Sequence, residues 1–433
     1  MLVFSCSLAV MAMQPAPKQE NRSGGPFIKK GERILILAPH PDDESIACAG
    51  VIQDAVSNGA QVKIVYLTNG DHNQLSFIVY EKRIPFLKGE FIHMGEVRMN
   101  EAKKAMKLLG VGENNLTFLG YPDFGTFAIL RSYWGSAHPY QSIMTHISHV
   151  PYKTNLSFNA PYIGDSILND IENVLISYKP DKIFVSHPAD VNVDHKSLYL
   201  FLQVALADLE NQIPRPKLYP YLVHYLGWPS PRHYHPELIL DPPQKLVSDI
   251  NWMKLGLNSK QLEMKHRAIL SYRSQTESSA FYLLAFARKN ELFGDYAENK
   301  NTGQVQYTAD NGYLVIRINK PKEAVKYIST FTYLFGYSYK TPFSGMPKIF
   351  MVSKHDKAFL FDGSRKVSAE EVKVNLSEET LTLSVPLKIL GKPDFIFVST
   401  KVYEVSSPIY FSGFRKITVR GGSDDGVKVD QDK

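Results

Sequence analysis

The chain has 433 residues, more than one ordinary domain holds, and 44% hydrophobic content suffices for packed cores. The formal charge of +6 is dispersed, with no block of five or six Lys or Arg, which argues against a nucleic-acid-binding surface. With only two cysteines, Cys6 and Cys48, no disulfide framework and no cysteine-based metal centre can be built.

Residues 2–13 form a short apolar run ending in small residues, followed by Gln14-Pro-Ala-Pro. The run is too short to span a membrane, so no transmembrane segment is expected. It has the pattern of a secretory h-region without its charged n-region. Residues 1–26 therefore read as a leader, and the protein is expected to be secreted or periplasmic. From Gly31 onward, apolar runs alternate with helical patterns. Arg33–Ala38 predicts a strand, Asp43–Asn58 a helix ending near Gly59, and Gln61–Thr68 a β-branched strand. Residues 96–109 predict an amphipathic helix closed by Gly110. Residues 116–119, 182–186 and 218–226 predict strands. Residues 166–178, stopped by Pro180, and 194–209 predict helices. This alternation implies an α/β fold over residues 27–298: a Rossmann-like, mostly parallel sheet with helices on both faces. Two inserts, 74–95 and 124–165, leave the carboxyl ends of strands and carry many aromatics, among them Tyr80, Phe91, Trp134 and Tyr152. They read as ordered lids.

The polar run Glu298-Asn-Lys-Asn-Thr-Gly303 reads as a linker, and helical periodicity stops there. Strands are predicted at 313–318, 330–339, 348–353, 372–376, 381–385, 395–402 and 416–419. Turn signals such as Asp310-Asn-Gly312 and Asp362-Gly363 separate them. Residues 304–420 therefore predict an antiparallel β-sandwich, one that binds glycan or packs on the first domain. The Gly- and Asp-rich residues 421–433 read as a disordered tail.

Two motifs carry the chemistry. Ala38-Pro39-His40-Pro41-Asp42-Asp43-Glu44 follows the first predicted strand and opens a helix. It places one imidazole and two carboxylates at a strand's carboxyl end, where open α/β sheets bind ligands. Ser186-His187-Pro188-Ala189-Asp190-Val191-Asn192-Val193-Asp194-His195 repeats the arrangement after a later strand. If the two strands are neighbours, His195 can face His40 and Asp43. Two histidines and one carboxylate with an open position suit a catalytic zinc. Asp42, beside a ligand without needing to be one, can move protons between water and a leaving amine. Asp194 can brace His195 or cap the helix.

His40-Pro-Asp-Asp-Glu44 and Asp190-Val-Asn-Val-Asp-His195 resemble the two signatures of the PIG-L/LmbE-like de-N-acetylases. Thr68-Asn-Gly-Asp71, Gly95-Glu-Val-Arg98, Gly120-Tyr-Pro-Asp123 and Tyr272-Arg-Ser-Gln275 extend the likeness to about residues 31–280. The resemblance implies a zinc-dependent deacetylase of an N-acetylglucosamine-type sugar or its conjugate. It implies zinc on His40, Asp43 and His195 (iron being the alternative), Asp42 as base, and sugar contacts from Arg98 and Asp123. Many members carry a histidine three residues before the last ligand. Here Asn192 stands in that place, able to donate to an oxyanion but not to titrate. His187 or His72 could supply the imidazole instead. The expected partner is a small amino sugar or glycan.

Other readings use the same residues. A non-haem iron enzyme employs two histidines and a carboxylate, but on an all-β barrel. A carbohydrate-binding protein with a vestigial metal site would have no need of Asp42. A nucleotide-binding Rossmann protein lacks its Gly-x-Gly-x-x-Gly here.

Overall fold

The computed structural model describes residues 27–72, 78–80, 82, 88–296, 303–320 and 328–420. The expected leader, residues 74–77, 81 and 83–87 of the first insert, most of the linker run and the tail 421–433 lie outside the described residues.

The first sheet contains β1 (Arg33–Ala38), β2 (Gln61–Thr68), β3 (Leu116–Tyr121), β4 (Lys182–Ser186), β5 (Lys217–Tyr221), β6 (Ile250–Gly256) and β7 (Asn290–Tyr296). Their spatial order is β3-β2-β1-β4-β5-β7-β6. The first five strands in that order run parallel, and β7 is antiparallel to both β5 and β6. The helices are α1 (Asp43–Asn58), α2 (Lys88–Leu108), α3 (Thr126–Ser132), α4 (Gly164–Tyr178), α5 (Val193–Asp208), α6 (Ser259–Leu270) and α7 (Arg273–Leu283). Two helix groups flank the sheet: α1, α2 and α6 pack together, as do α3, α4 and α5. Sandwiched in this way, β1 can be apolar on both sides, and Ile34, Leu35, Ile36 and Leu37 are all buried. None of the helices among the described residues is long and apolar enough to cross a membrane.

From β1 the chain moves outward to β2 and β3, then returns to β4 on the other side of β1. The connections leaving β1 and β4 therefore diverge, and a crevice opens between the carboxyl ends of these two neighbours. Two differences from the sequence expectation matter for the site. The strand expected at 218–226 ends at Tyr221. Beyond it, the Val223 and His224 amides donate to the Asp190 carboxylate instead of to a ladder. The second insert holds a short helix, α3, and residues 250–296 add β6, α6, α7 and β7, which the sequence pattern does not announce.

The second part of the chain is all antiparallel. It comprises β8 (Val305–Asp310), β9 (Tyr313–Asn319), β10 (Ile328–Tyr337), β11 (Lys348–Lys354), β12 (Lys357–Asp362), β13 (Arg365–Val367), β14 (Lys373–Leu376), β15 (Thr380–Pro386), β16 (Phe395–Glu404), β17 (Ser407–Phe411) and β18 (Arg415–Thr418). One sheet runs β13-β12-β11-β10-β16-β17, with β18 also on β16, and the other runs β14-β15-β9-β8. Leu314 and Ile316 of β9, Leu383 of β15 and Leu334 and Val398 of the larger sheet fill the space between them. The larger sheet also touches the first domain. Phe335 and Phe414 pack on Phe127 of α3, and the Tyr337 hydroxyl donates to Asp208 at 2.6 Å.

Candidate active site

The turn after β1 is short and tightly held. Pro39 and Pro41 restrict the backbone on either side of His40. The Thr68 amide and hydroxyl both donate to the Pro39 carbonyl, tying the turn to the end of β2. The Asp43 carboxylate accepts from the His40 amide at 2.9 Å. Asp42 has φ 149° and ψ −28°, a backbone conformation that costs a non-glycine residue about 1–3 kcal/mol. Arg98 of α2 holds it there. One guanidinium nitrogen donates to Asp42 Oδ2 (3.1 Å) and to the Pro41 carbonyl (3.0 Å), another to the Gly70 carbonyl (3.0 Å). Gly70, at φ 67°, leaves room for the guanidinium, with which a Cβ at this position would collide.

The turn after β4 is longer. Asn192 caps α5, its side-chain oxygen accepting from the Asp194 amide at 2.8 Å. Asp190 organises the rest. Its Oδ1 accepts from the Asn192 amide, its Oδ2 from the Val223 and His224 amides, and Oδ2 also lies 3.1 Å from His195 Nδ1.

The two turns bring their side chains together. Asp43 Oδ2 lies 3.3 Å from His40 Nδ1 and 3.2 Å from His195 Nε2. All three ligand atoms fall within 4.8 Å of one another. Tetrahedral zinc with ordinary bond lengths separates its donors by about 3.4 Å, so this spacing suits one cation. Both ring nitrogens of buried His195 lie against carboxylates, Nε2 on Asp43 and Nδ1 on Asp190, and neither makes a hydrogen bond of regular geometry. The far sides of both rings are braced by carboxylates, as metal-ligating histidines require. His40 Nε2 lies 3.0 Å from Asp123 Oδ1 and 3.4 Å from Asp194 Oδ2, and His195 Nδ1 faces Asp190. His40, Asp123 and Asp194 also meet the distance condition for a cation site. We read that set as the brace of His40, because one ring cannot orient itself on Asp43 without a proton-accepting partner behind it.

Five buried carboxylates, of Asp42, Asp43, Asp123, Asp190 and Asp194, surround two imidazoles and the Arg98 guanidinium. Burial opposes protonation of both imidazoles. Even so, Asp123 lifts His40 well above its ordinary range, and Asp190 and Asp43 lift His195 to about 9. The field calls for positive charge between the two turns, which a divalent cation supplies. Burial raises the Asp42 carboxyl to about 7 against the opposing pull of Arg98.

Several side chains are not where the sequence suggests. Arg98 and Asp123, expected as sugar contacts, are 3% and 5% exposed. Arg98 is engaged with the Asp42 turn. Asp123 offers one oxygen to His40 and the other to the His72 amide at 3.0 Å. Arg98 lies behind the Asp42 turn and Asp123 behind His40. Asp194, expected to brace His195 or to cap α5, instead accepts from the Phe124 amide and from the Thr126 amide and hydroxyl, and faces His40, while Asn192 provides the cap. His187 lies outside the cluster: it stacks on Trp252, its Nδ1 accepts from the Ala189 amide, and burial pushes its pKa down to about 3. His72 sits at the rim, edge-on to exposed Phe124. The imidazole beside the cluster is His224, whose ring lies 4.8 Å from that of His195 and stacks on Tyr282. The sequence hides it inside an apparent strand. The signal that could have found it is its place, three residues past the true end of β5.

Comparison with known proteins gives three results. The PIG-L family model, described as GlcNAc-PI de-N-acetylase, matches residues 35–206. Among curated relatives, a 1D-myo-inositol 2-acetamido-2-deoxy-alpha-D-glucopyranoside deacetylase of Corynebacterium glutamicum (strain R) is 30% identical over 81 residues, 19% of this chain and 27% of the relative. A glucosamine-6-phosphate deaminase-like protein of Bacteroides thetaiotaomicron is 23% identical over 292 residues, 63% of this chain and 39% of the relative. The chain thus spans less than half the length of either. Among solved structures, N,N'-diacetylchitobiose deacetylase from Pyrococcus horikoshii aligns with a TM-score of 0.34 at 19% identity, covering 56% of this chain and 70% of that one.

Proposed function

Because residues 35–206 are a PIG-L family domain, we propose that the protein is a metal-dependent amide hydrolase that removes the N-acetyl group from an N-acetylglucosamine-type sugar or its conjugate. The observation that carries this reading is the convergence of His40 Nδ1, Asp43 Oδ2 and His195 Nε2 on one point, with Asp42 beside them. A zinc or iron ion held by those three atoms supplies Lewis-acid polarisation of the acyl carbonyl and a water nucleophile at neutral pH.

The chain's own groups do the rest. Asp42 takes a proton from the attacking water as the new C–O bond forms, and returns it to the sugar nitrogen as the C–N bond breaks. Acetate and free amine are the products. Arg98 is a positioning residue that keeps the Asp42 carboxylate turned toward the cluster. Asn192 has its oxygen committed to capping α5, so any hydrogen bond it gives a developing oxyanion comes from Nδ2. Asp123, Asp194 and Asp190 hold the two imidazoles in orientation. A binding protein with a vestigial metal site has no use for a strained, buried acid gripped by an arginine. Export belongs to the same proposal and rests on the apolar run at residues 2–13.

The test is acetate release from a panel of N-acetylglucosamine conjugates and cell-wall fragments, with and without a chelator. We expect release from at least one conjugate, abolished by chelation and restored by zinc or iron(II). Release that persists after the protein is stripped of metal would refute the metal role. No release from any acylated amino sugar would refute the hydrolase.

A further inference from the structure

The outer face of the larger sandwich sheet inverts the usual pattern. Along β10, Thr330 and Thr332 point inward with no exposed surface, their hydroxyls paired with Ser353 (2.8 Å) and Thr400 (3.2 Å). Phe331 and Tyr333 alternate with them and face out, half-buried. The cross-strand neighbours continue the row. Phe331 lies between Val352 and Lys401, Lys401 opposite Phe411, and Val352 opposite Phe359. Phe331 also meets Phe350 (6.2 Å between ring centroids) and Tyr403 (5.3 Å). The water-facing side of an antiparallel sheet is ordinarily polar, and a contiguous exposed apolar patch marks a place of interaction.

The patch is flanked by cations. Arg131 lies 5.4 Å over the Phe350 ring, Lys401 5.4 Å over Phe411 and Lys366 5.7 Å over Phe359. Asp362, the acid at its corner, is paired with Arg365 at 3.4 Å. The patch is linked to the active-site turns through α3 and Lys196. One end of the same face is buried on α3, which begins at Thr126, bonded to Asp194, and ends next to Arg131. Seven residues of helix span about 10 Å. On the other turn, Lys196, adjacent to His195, reaches the Phe411 ring at 5.0 Å.

We propose that this aromatic, cation-flanked face is the docking platform for an acidic glycan chain, whose N-acetylated residue it delivers to the His40–Asp43–His195 site. The apolar C–H faces of sugar rings stack on Phe331, Phe350 and Phe359, and anionic groups along the chain meet Lys401 and Lys366. The platform deepens the hydrolase reading and rests on it for the choice of an N-acetylated sugar. It makes the substrate a polymer or long oligosaccharide and not a small metabolite.

The test measures binding by the full chain to hyaluronan oligosaccharides, which carry N-acetylglucosamine and carboxylates, and to neutral N-acetylchito-oligosaccharides of equal length. We expect hyaluronan to bind the more tightly and to weaken with salt. Phe331→Ala, and separately Phe359→Ala on the exposed edge strand β12, should each lower that affinity about tenfold, as loss of an aromatic anchor does. Lys401→Gln should lower it without affecting the neutral chain. Equal affinity for the two glycans, or hyaluronan affinity unchanged in both aromatic variants, overturns the platform. So does a dimer that Phe359→Ala dissociates, since a second copy would then cover the face. Acetate release from small conjugates by the unmodified protein, measured in parallel, separates the two readings. Release without hyaluronan binding overturns the platform alone. Binding without release from small conjugates or from hyaluronan itself supports the platform while refuting the hydrolase.

Discussion

The two turns that build the site are held in different ways. The turn after β1 is fixed by two prolines, by a carboxylate that closes on its own backbone, and by Arg98 and Thr68 reaching in from α2 and β2. The turn after β4 is organised by its own Asp190 and Asn192 and is also clamped by the sandwich. The Phe414 amide donates to the Pro188 carbonyl, Gly413 lies against Ala189, and the β5 exit is pinned to Asp190. The first turn carries the proposed proton shuttle and two ligands in four residues. The second supplies the third proposed ligand and has the sandwich packed against it. Loss of Asp42 should therefore appear in the chemistry, and damage to the second turn in how firmly the cation is held.

Asp42→Asn gives the largest expected effect and isolates the first turn. An amide keeps the size and can still accept from Arg98, but it cannot take a proton. We expect kcat to fall about 10² to 10⁴-fold with metal content unchanged. Elemental analysis alongside acetate-release kinetics checks both halves. A variant that loses its metal would show that Asp42 shapes the ligand set, and the contrast between the turns would fail.

That contrast also marks what the sequence could say. His40, Asp42 and Asp43 are legible because their geometry is local, a strand end running straight into a helix. His195 is legible for the same reason. The duties of Arg98 and Asp123 are not, because residue type alone does not separate a side chain facing a ligand from one bracing it. That depends on α2 and the end of β3 converging on a turn far away in sequence. His224 is hidden because the end of β5 is decided by Asp190, another long-range bond. In the sandwich the alternation Thr330-Phe-Thr-Tyr333 is plain. Which of its faces meets the partner sheet is set by assembly, and here the aromatic side is left outside.

Asp190→Asn probes the brace inside the second turn. The amide can still accept through one oxygen, but it no longer places a full negative charge 3.1 Å from His195 Nδ1. The ring then loses both orientation and basicity. Metal affinity should fall about 10- to 100-fold, as for other bracing groups. With metal in excess, kcat should recover most of its value, which Asp42→Asn does not allow. Competition with a chromophoric chelator measures the affinity. A kcat that stays low at saturating metal would give Asp190 a direct part in turnover.

Gly413→Ala is the mildest change and reaches the second turn from the sandwich side. A Cβ at this position would come within 2.5 Å of Ala189 Cα and of the Tyr296 hydroxyl. Both sit on packed elements, so the β17–β18 connection must shift away from the turn. Overpacking of this kind costs about 1–3 kcal/mol of stability, read as a lower denaturation midpoint. If the clamp transmits to the site, metal affinity should also fall, by less than in Asp190→Asn, while kcat at saturating metal stays near normal. The first turn is held by Arg98 and Thr68, so proton transfer by Asp42 should be untouched. A destabilised protein that binds metal as tightly as before would mean that the second turn holds its own shape. The two turns would then differ in length and not in what supports them.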